Sequence, residues 1–193
     1  MKNRVLLLVV IIQLLGMTVA IYGQDVGFDK KNFNKDERKP FKEAMKELRE
    51  GDDYFEIERF TAALDHYKRA QSFNPDNALL NFKLGKCYLR TINKVKSIPY
   101  LEKAFKLNPT VDSELRYLLG EAYQLNYEFD KAVTEFKGYR SNMGLGDPKQ
   151  AKERIVWVNK KIEECTTGKE LVANPVRVFI DNLSQVNSPY PEY

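Results

Sequence analysis

Apolar residues recur at helical spacing from about residue 40 to residue 165, and the pattern repeats itself along the chain. Gly51 and Gly85 are 34 residues apart, as are Tyr54 and Tyr88, and a third copy begins at Gly120, 35 residues after the second. The phrase KRAQSFNPDN also returns 34 residues later as EKAFKLNPTV. A period of this length predicts one pair of helices per copy, and the copies stack because a single pair cannot bury its apolar face alone.

Small and large residues keep a fixed register within the copies. Ala63 and Tyr67 of the first copy return as Ala132 and Phe136 of the third copy, 69 residues later. Small residues let two antiparallel helices approach closely, and aromatic residues three or four positions away fill the space between the turns. A proline after each of the first two copies prevents the helix from continuing.

The second copy departs from this pattern. Lys94 and Ser97 stand where the first copy has Phe60 and Ala63, and a proline falls early in the same helix, where a missing N–H is tolerated. We therefore expect this helix to begin late, near Lys96.

The segment KQAKERIVWVNKKIEEC after Pro148 carries Ile155, Val158 and Ile162 at helical spacing, with charged and polar residues on its other faces. This predicts a capping helix that closes the stack with a polar outer face. Trp157 lies off the apolar stripe, and packing is favoured over a ligand platform for it. The following TTGKELVANP is predicted to break the helix, so that the helical region covers residues 40–165.

The amino terminus reads as a secretory signal peptide over residues 1–23. MKNR supplies positive charge and VLLLVVIIQLLGMTVA supplies an apolar run. A retained membrane anchor is the alternative, but the run is short for a span of about 20 residues and Gln13 interrupts it. Cleavage is expected just before Gln24, or alternatively after Ala20. Residues 24–39 have too few apolar residues to bury and are predicted to be a polar linker.

The carboxyl terminus, residues 166–193, is predicted to be a linker followed by one strand. VRVFIDNL, from Val176 to Leu183, alternates between apolar and polar residues. A lone strand cannot satisfy its own backbone hydrogen bonds. It must pair with the stack, with a partner, or with a following domain.

Composition and charge exclude several functions. Removal of Lys2 and Arg4 with the signal peptide lowers the formal charge from +4 to +2, which is too small to predict nucleic-acid binding. The sequence contains no nucleophile–base set, phosphate-binding glycine loop or metal motif. We expect a protein without enzymatic activity, cofactor, metal or small-molecule substrate.

The remaining reactive residues are few. His66 is the only histidine, and a surface position is favoured over catalysis. Cys87 and Cys165 do not have the spacing of a metal site. Cys87 is predicted to be a buried free thiol, and a Cys87–Cys165 disulfide in an oxidising compartment is the alternative.

The three copies resemble tetratricopeptide repeats. The residues that carry the resemblance are Gly51, Tyr54, Ala63, Tyr67, Ala70 and Pro75 in the first copy, Leu84, Gly85, Tyr88, Ala104 and Pro109 in the second, and Leu119, Gly120, Tyr123, Ala132 and Phe136 in the third. The resemblance implies an all-α superhelix of three helix pairs and a capping helix, whose first helices line a partner-binding groove.

The groove residues that the resemblance implies are defined by their spacing from the three glycines. They are Leu48, Phe82 and Tyr117 before the glycines, Asp52, Lys86 and Glu121 just after them, and Glu56, Arg90 and Leu125 one turn later. Such a surface suits an extended segment or a helix of a partner protein. The alternative is that Leu48, Phe82 and Tyr117 only pack between repeats.

The chain as a whole is similar to the amino-terminal part of PorE-like, OmpA-family envelope proteins of Bacteroidota. Asn182-Leu183, Asn187-Ser188 and the run from Tyr190 to Tyr193 carry this likeness. The family implies that the final strand begins a β-propeller, and that a later OmpA-like domain binds peptidoglycan. It implies a periplasmic, outer-membrane-associated scaffold of type IX secretion or gliding, with envelope proteins such as an outer-membrane β-barrel component as partners. A self-contained periplasmic adaptor and an accessory domain of an envelope enzyme are the alternatives.

Overall fold

The structure is a computed structural model that describes residues 23–142 and 148–175. The predicted signal peptide, except for its last residue, and the predicted strand from Val176 to Leu183 lie outside the described residues.

The described ranges contain seven α-helices and no strand. The helices are α1 (Arg38–Glu56), α2 (Phe60–Phe73), α3 (Ala78–Leu89), α4 (Ser97–Leu107), α5 (Leu115–Leu125), α6 (Phe129–Asn142) and α7 (Pro148–Ala173). Helix α1 pairs with α2, α3 with α4, and α5 with α6, and α7 packs against α6. The predicted all-α superhelix of three pairs and a capping helix is therefore confirmed.

Each pair is held close by the glycine in its first helix. A Cβ added at Gly51 would lie 2.6 Å from ring carbons of Tyr67, and one added at Gly120 would lie 2.6 Å from the ring of Phe136. The second pair uses Leu101 in the same position, opposite Gly85. The large side chain of the second helix thus fills the space that a Cβ would take, which explains the period of the glycines.

This contact predicts the effect of a Gly120→Ala substitution. Alanine favours helix over glycine by about 1 kcal/mol, but overpacking against the buried ring costs about 1–3 kcal/mol. We expect a net loss of up to about 2 kcal/mol in the free energy of unfolding, measured by urea denaturation. In a Phe136→Ala background the same substitution should become stabilising, because the obstructing ring is gone. Additive effects of the two substitutions would contradict the contact.

The late start of the second helix in the second copy is confirmed. A 3₁₀ turn, Lys94–Lys96, precedes α4, which begins at Ser97. Ser97 is fully buried and its Oγ donates a hydrogen bond of 2.6 Å to the carbonyl of Lys94. The bond gives the buried hydroxyl of Ser97 a hydrogen-bond partner within its own turn, so the serine can stand at the start of α4 without a further polar neighbour.

The segment 24–39, predicted to be a linker, packs on the stack instead. The carbonyl of Val26 accepts hydrogen bonds from the side-chain amides of Asn74 (2.8 Å) and Asn77 (3.0 Å). Asp25 Oδ1 accepts from the backbone N–H of Ala78 at 2.9 Å, at the amino-terminal end of α3. These bonds fix the part of this segment that precedes α1, which we call the amino-terminal arm (residues 24–37), across the junction of the first two repeats.

Aromatic contacts hold the rest of the arm. The ring of Phe33 lies 4.8 Å from that of Phe73 and 5.3 Å from that of Phe41, and Phe28 also faces Phe73. The prediction failed because the arm is fixed by its backbone and by isolated phenylalanines, and neither produces a periodic apolar pattern.

The predicted helix break after Cys165 is also wrong, since α7 continues to Ala173. Gly168 lies inside the helix, at a position where a Cβ would lie 2.9 Å from the ring of Phe129. The glycine therefore serves the packing of α7 on α6, as the glycines of the repeats do in their own pairs. No helix in the described part of the chain has the length and apolar character needed to cross a membrane.

Candidate protein-binding groove

Side chains of the first helices connect one repeat to the next. Asp52 of α1 accepts hydrogen bonds from Tyr67 Oη at 2.7 Å and from Lys83 Nζ of α3 at 2.6 Å. Burial and the Asp52 carboxylate both raise the pKa of Tyr67, so this hydroxyl stays a donor at all ordinary pH values. The predicted groove residue Asp52 thus ties the first two repeats together.

The second connection runs from α3 to α5. Lys86 Nζ lies 2.8 Å from Glu114 Oε2 and 5.9 Å from the ring centroids of Phe55 and Phe82. Phe82 is only 4% exposed and belongs to the core. Phe82 therefore packs between repeats, which was the alternative to a groove position for this residue. Lys86 lies over the surface between the repeats.

The third connection joins α5 to the capping helix. Trp157 Nε1 of α7 donates a hydrogen bond to Tyr117 Oη at 3.1 Å. The ring of Tyr117 lies 5.6 Å from Phe136 and 5.4 Å from Tyr139. The hydroxyl of Tyr117 therefore positions Trp157, while the ring of Tyr117 packs against the two aromatic residues of α6.

The other predicted groove residues have different surroundings. Leu48 is half-buried against the core of the first pair, and Glu56 is exposed. Leu125 is also exposed, and Arg90 lies beside the connection between α3 and α4. Glu121 is half-buried, and its Oε2 has no hydrogen-bond partner in the part of the chain that the structure describes.

The surface between α5, α6 and α7 forms a cleft of about 550 Å³, which we call the Trp157 cleft. Its lining residues are Asp112, Ser113, Glu114, Tyr117, Tyr139, Glu153, Arg154, Trp157 and Val158. Only Tyr117 among them belongs to the groove set predicted from the sequence. The others were missed because they come from the capping helix, from α6 and from the loop before α5.

Trp157 is more exposed than the sequence analysis predicted. The sequence favours packing for it, but its side chain is about half exposed at 52%. The ammonium groups of Lys160 and Lys161 lie 5.8 and 5.7 Å from its ring centroid. The indole is thus in contact with Tyr117 and with two ammonium groups, and about half of its surface is open to solvent.

Charges at the Trp157 cleft have both signs. Asp112, Glu114 and Glu153 supply carboxylates, and Lys86 already pairs with Glu114. Burial raises the pKa of Tyr139, and the positive charge of Arg154 works in the opposite direction. The cleft therefore combines aromatic surface with a few directional polar groups, which is the composition of a recognition site.

The two cysteines show no reactive features. Both are free and buried, so the disulfide alternative is not formed. Burial raises the pKa of Cys87 to about 12 and that of Cys165 to about 11. Neither sulfur is poised as a nucleophile, since a nucleophilic cysteine needs a lowered pKa.

His66 belongs to a polar cluster between α1 and α2, and it is not the surface residue that was expected. Its side chain is 18% exposed, and its Nδ1 lies 2.8 Å from Glu47 Oε2 and 3.2 Å from Glu50 Oε2. These three residues could hold a metal ion by distance alone. However, Arg69 Nε donates to the same Glu47 oxygen at 2.6 Å, so a guanidinium already supplies the positive charge.

Comparisons with known proteins agree with this architecture. Residues 51–91 match a family model described as TPR repeat, and residues 78–111 match one described as tetratricopeptide repeat. The chain therefore contains tetratricopeptide repeats, matched over residues 51–111. No sequence among the curated proteins matches the chain.

The chain is similar to a number of solved structures, among them a TPR domain and the MamA protein. The TPR domain of Sgt2 from Aspergillus fumigatus has 22% identity and a TM-score of 0.52, and the alignment covers 75% of this chain and 92% of that one. The MamA protein has 20% identity and a TM-score of 0.48, over 78% of this chain and 86% of that one. At this identity the likeness to the Sgt2 domain shows the fold.

Proposed function

We propose that this protein is a non-catalytic scaffold that binds a partner protein at the Trp157 cleft. The observation that carries the proposal is the half-exposed Trp157, fixed by its hydrogen bond to Tyr117. Tetratricopeptide repeats are typically interaction modules, so the fold and the cleft support the same function.

The cleft is prepared for binding before a partner arrives. Trp157 and Tyr117 are oriented by each other, and Tyr117 is supported by Phe136 and Tyr139. Ordering a mobile side chain on binding costs about 0.5–1.5 kcal/mol, and a side chain already fixed does not add this cost. Tryptophan and tyrosine are also the residues that most often dominate binding energy at protein interfaces.

A partner that fits the cleft presents an extended segment or one face of a helix. The cleft volume of about 550 Å³ accommodates one or two apolar side chains beside the indole. The links from Asp52 to Lys83 and from Lys86 to Glu114 continue the surface across α1 and α3. Longer segments would therefore follow the first helices from α7 toward α1.

The proposal places the scaffold in the periplasm, in association with the outer membrane. The charged and apolar start of the sequence and the PorE-like carboxyl-terminal motif support this location. In this proposal the chain is a repeat module of a peptidoglycan-associated protein of the type IX secretion or gliding machinery. Its partner is an envelope protein, such as an outer-membrane β-barrel component, and peptidoglycan binding is not assigned to these residues.

Fractionation of the source cells tests the proposal. An antibody raised against the repeats should detect the protein in the envelope fraction. Formaldehyde treatment of intact cells before lysis should shift part of it to a larger, partner-linked species. Recovery in the cytoplasmic fraction would contradict the location. An envelope protein that never forms a larger species would contradict the scaffold function.

A further inference from the structure

The connection between α3 and α4 is built differently from those of the other two pairs. The α1–α2 and α5–α6 connections have three residues each, closed by Glu58 (φ 58°) and Tyr127 (φ 62°) in left-handed conformations. The α3–α4 connection, residues 90–96, has seven. The repeat period is kept because α4 starts later. The second copy therefore has a shorter second helix and a longer surface connection.

An aromatic residue covers the turn in the other two pairs and is absent here. Phe60 contacts Phe55 edge-to-face at 5.7 Å, and Phe129 contacts Tyr127 in the same way at 6.0 Å. Lys94 occupies the equivalent position of the second copy and is exposed. The space beside the turn is therefore left open.

This open space is a cleft of about 690 Å³ between α2 and the α3–α4 connection, which we call the Lys94 cleft. Four cations line it, namely Lys68, Arg90, Lys94 and Lys96. None of the four has a salt-bridge partner among the described residues, in contrast to Lys83 and Lys86 on the groove side. The only carboxylate of the lining is Asp65.

Aliphatic side chains stand next to these cations. Ile92 is 97% exposed and Val95 is 52% exposed, both within the α3–α4 connection. Tyr88 also lines the cleft, but it is only 6% exposed, so no aromatic face is available for stacking a base. Lys68 Nζ lies 5.5 Å from the ring centroid of Tyr88. The chemistry of the surface is thus a concentration of positive charge without salt bridges inside the described ranges, next to exposed aliphatic groups.

We infer that the Lys94 cleft is a second docking site, which binds an acidic segment of a protein partner. Glutamate or aspartate side chains of the segment pair with the four cations, and an intervening aliphatic residue covers Ile92. A concave surface with walls from two elements fits a peptide better than a membrane, since a bilayer surface would contact only the rim. This site lies at the turns between paired helices and is separate from the Trp157 cleft.

A direct binding measurement tests this inference on the purified protein. The probe is a fluorescein-labelled octapeptide of alternating leucine and glutamate, followed by fluorescence anisotropy at about 50 mM salt, where screening is weak. We expect saturable binding that weakens as salt is added. The same peptide with glutamine in place of glutamate should bind at least about tenfold more weakly, because its affinity lacks the charge pairs.

Two variants connect the binding to the cleft. Lys94→Glu with Lys96→Glu should lower the affinity for the acidic peptide by about tenfold or more, through like-charge repulsion. Lys94→Phe restores the aromatic residue of the other two copies. This variant should also lower the affinity for the acidic peptide, because the phenylalanine ring would cover the cleft. Lys106→Glu with Lys137→Glu reverses two exposed lysines outside the cleft, so it is the control matched in net charge and should change the affinity by less than about threefold. Circular dichroism verifies that each variant is folded.

Four results would overturn the inference. The first is failure of the acidic peptide to bind, and the second is equal binding of the glutamate and glutamine peptides. The third is an equal effect of the Lys106/Lys137 reversal and the Lys94/Lys96 reversal. The fourth is binding to vesicles containing phosphatidylglycerol without binding to the peptide, which would assign the surface to a membrane.

Discussion

Replacing Phe136 by alanine is expected to lower the free energy of unfolding by about 3–5 kcal/mol. Phe136 is fully buried and fills the space above Gly120, and it supports the ring of Tyr117 at 5.6 Å. The substitution removes the buried ring and leaves a cavity that the surrounding helices cannot close, since both α5 and α7 are fixed by other contacts. Few single substitutions in a chain of this size have a larger effect.

Urea denaturation followed by circular dichroism measures this loss. Val156→Ala removes apolar atoms from a side chain that is 69% exposed, and as the control it should change the free energy of unfolding by no more than about 0.5 kcal/mol. Because each repeat contacts only its neighbours, hydrogen exchange should increase most in α5, α6 and α7. A loss below about 1 kcal/mol, or exchange that rises equally in α1, would contradict the packing of the third repeat.

The second large effect concerns binding. Trp157→Ala is expected to weaken the partner complex by about 2 kcal/mol or more, which is roughly thirtyfold in affinity. The reason is that Trp157 offers a large aromatic surface whose orientation is already set by Tyr117. The stability of the free protein should change little, because the indole is half exposed.

Titration of the partner, once isolated from crosslinked cells, provides the measurement. Val156→Ala again serves as the control, because Val156 is adjacent in sequence and does not line the cleft. Tyr117→Phe keeps the ring and removes the acceptor of the indole N–H, so it should cause a smaller loss than Trp157→Ala. Equal affinities of Trp157→Ala and the parent protein would remove the Trp157 cleft from the proposal.

The repeat architecture could be predicted because it depends on contacts that recur. The glycines at 51, 85 and 120 and the large residues opposite them have a fixed spacing, and the packing of each pair follows from it. The late start of α4 was predictable for the same reason, since Lys94 and Ser97 interrupt a pattern that the first copy establishes.

Features that occur once were not predictable in this way. The amino-terminal arm is held by the carbonyl of Val26 and the amides of Asn74 and Asn77, and a backbone acceptor leaves no trace in a hydrophobic pattern. Glycine is common at the carboxyl-terminal end of helices, but Gly168 lies within α7, where the ring of Phe129 occupies the space beside it. Such contacts depend on how two helices are rotated against each other.

The candidate site was only partly predictable for a related reason. Spacing from the glycines identified Asp52 and Lys86, which connect one repeat to the next, and Tyr117, which connects α5 to the capping helix. It did not identify Trp157, because the capping helix lies outside the period and its rotation is set by contacts with α6. The side chain that matters most for the proposed binding thus comes from the least repetitive helix.

Photo-crosslinking from position 157 tests whether a partner protein contacts Trp157 in the cell. The chain is expressed in its source cells with p-benzoylphenylalanine in place of Trp157, and separately in place of Val156, and the cells are irradiated before lysis. We expect one dominant crosslinked protein from position 157, found in the envelope fraction, and little or none from position 156. Absence of a crosslink at 157, or the same set of products from both positions, would contradict binding at the Trp157 cleft.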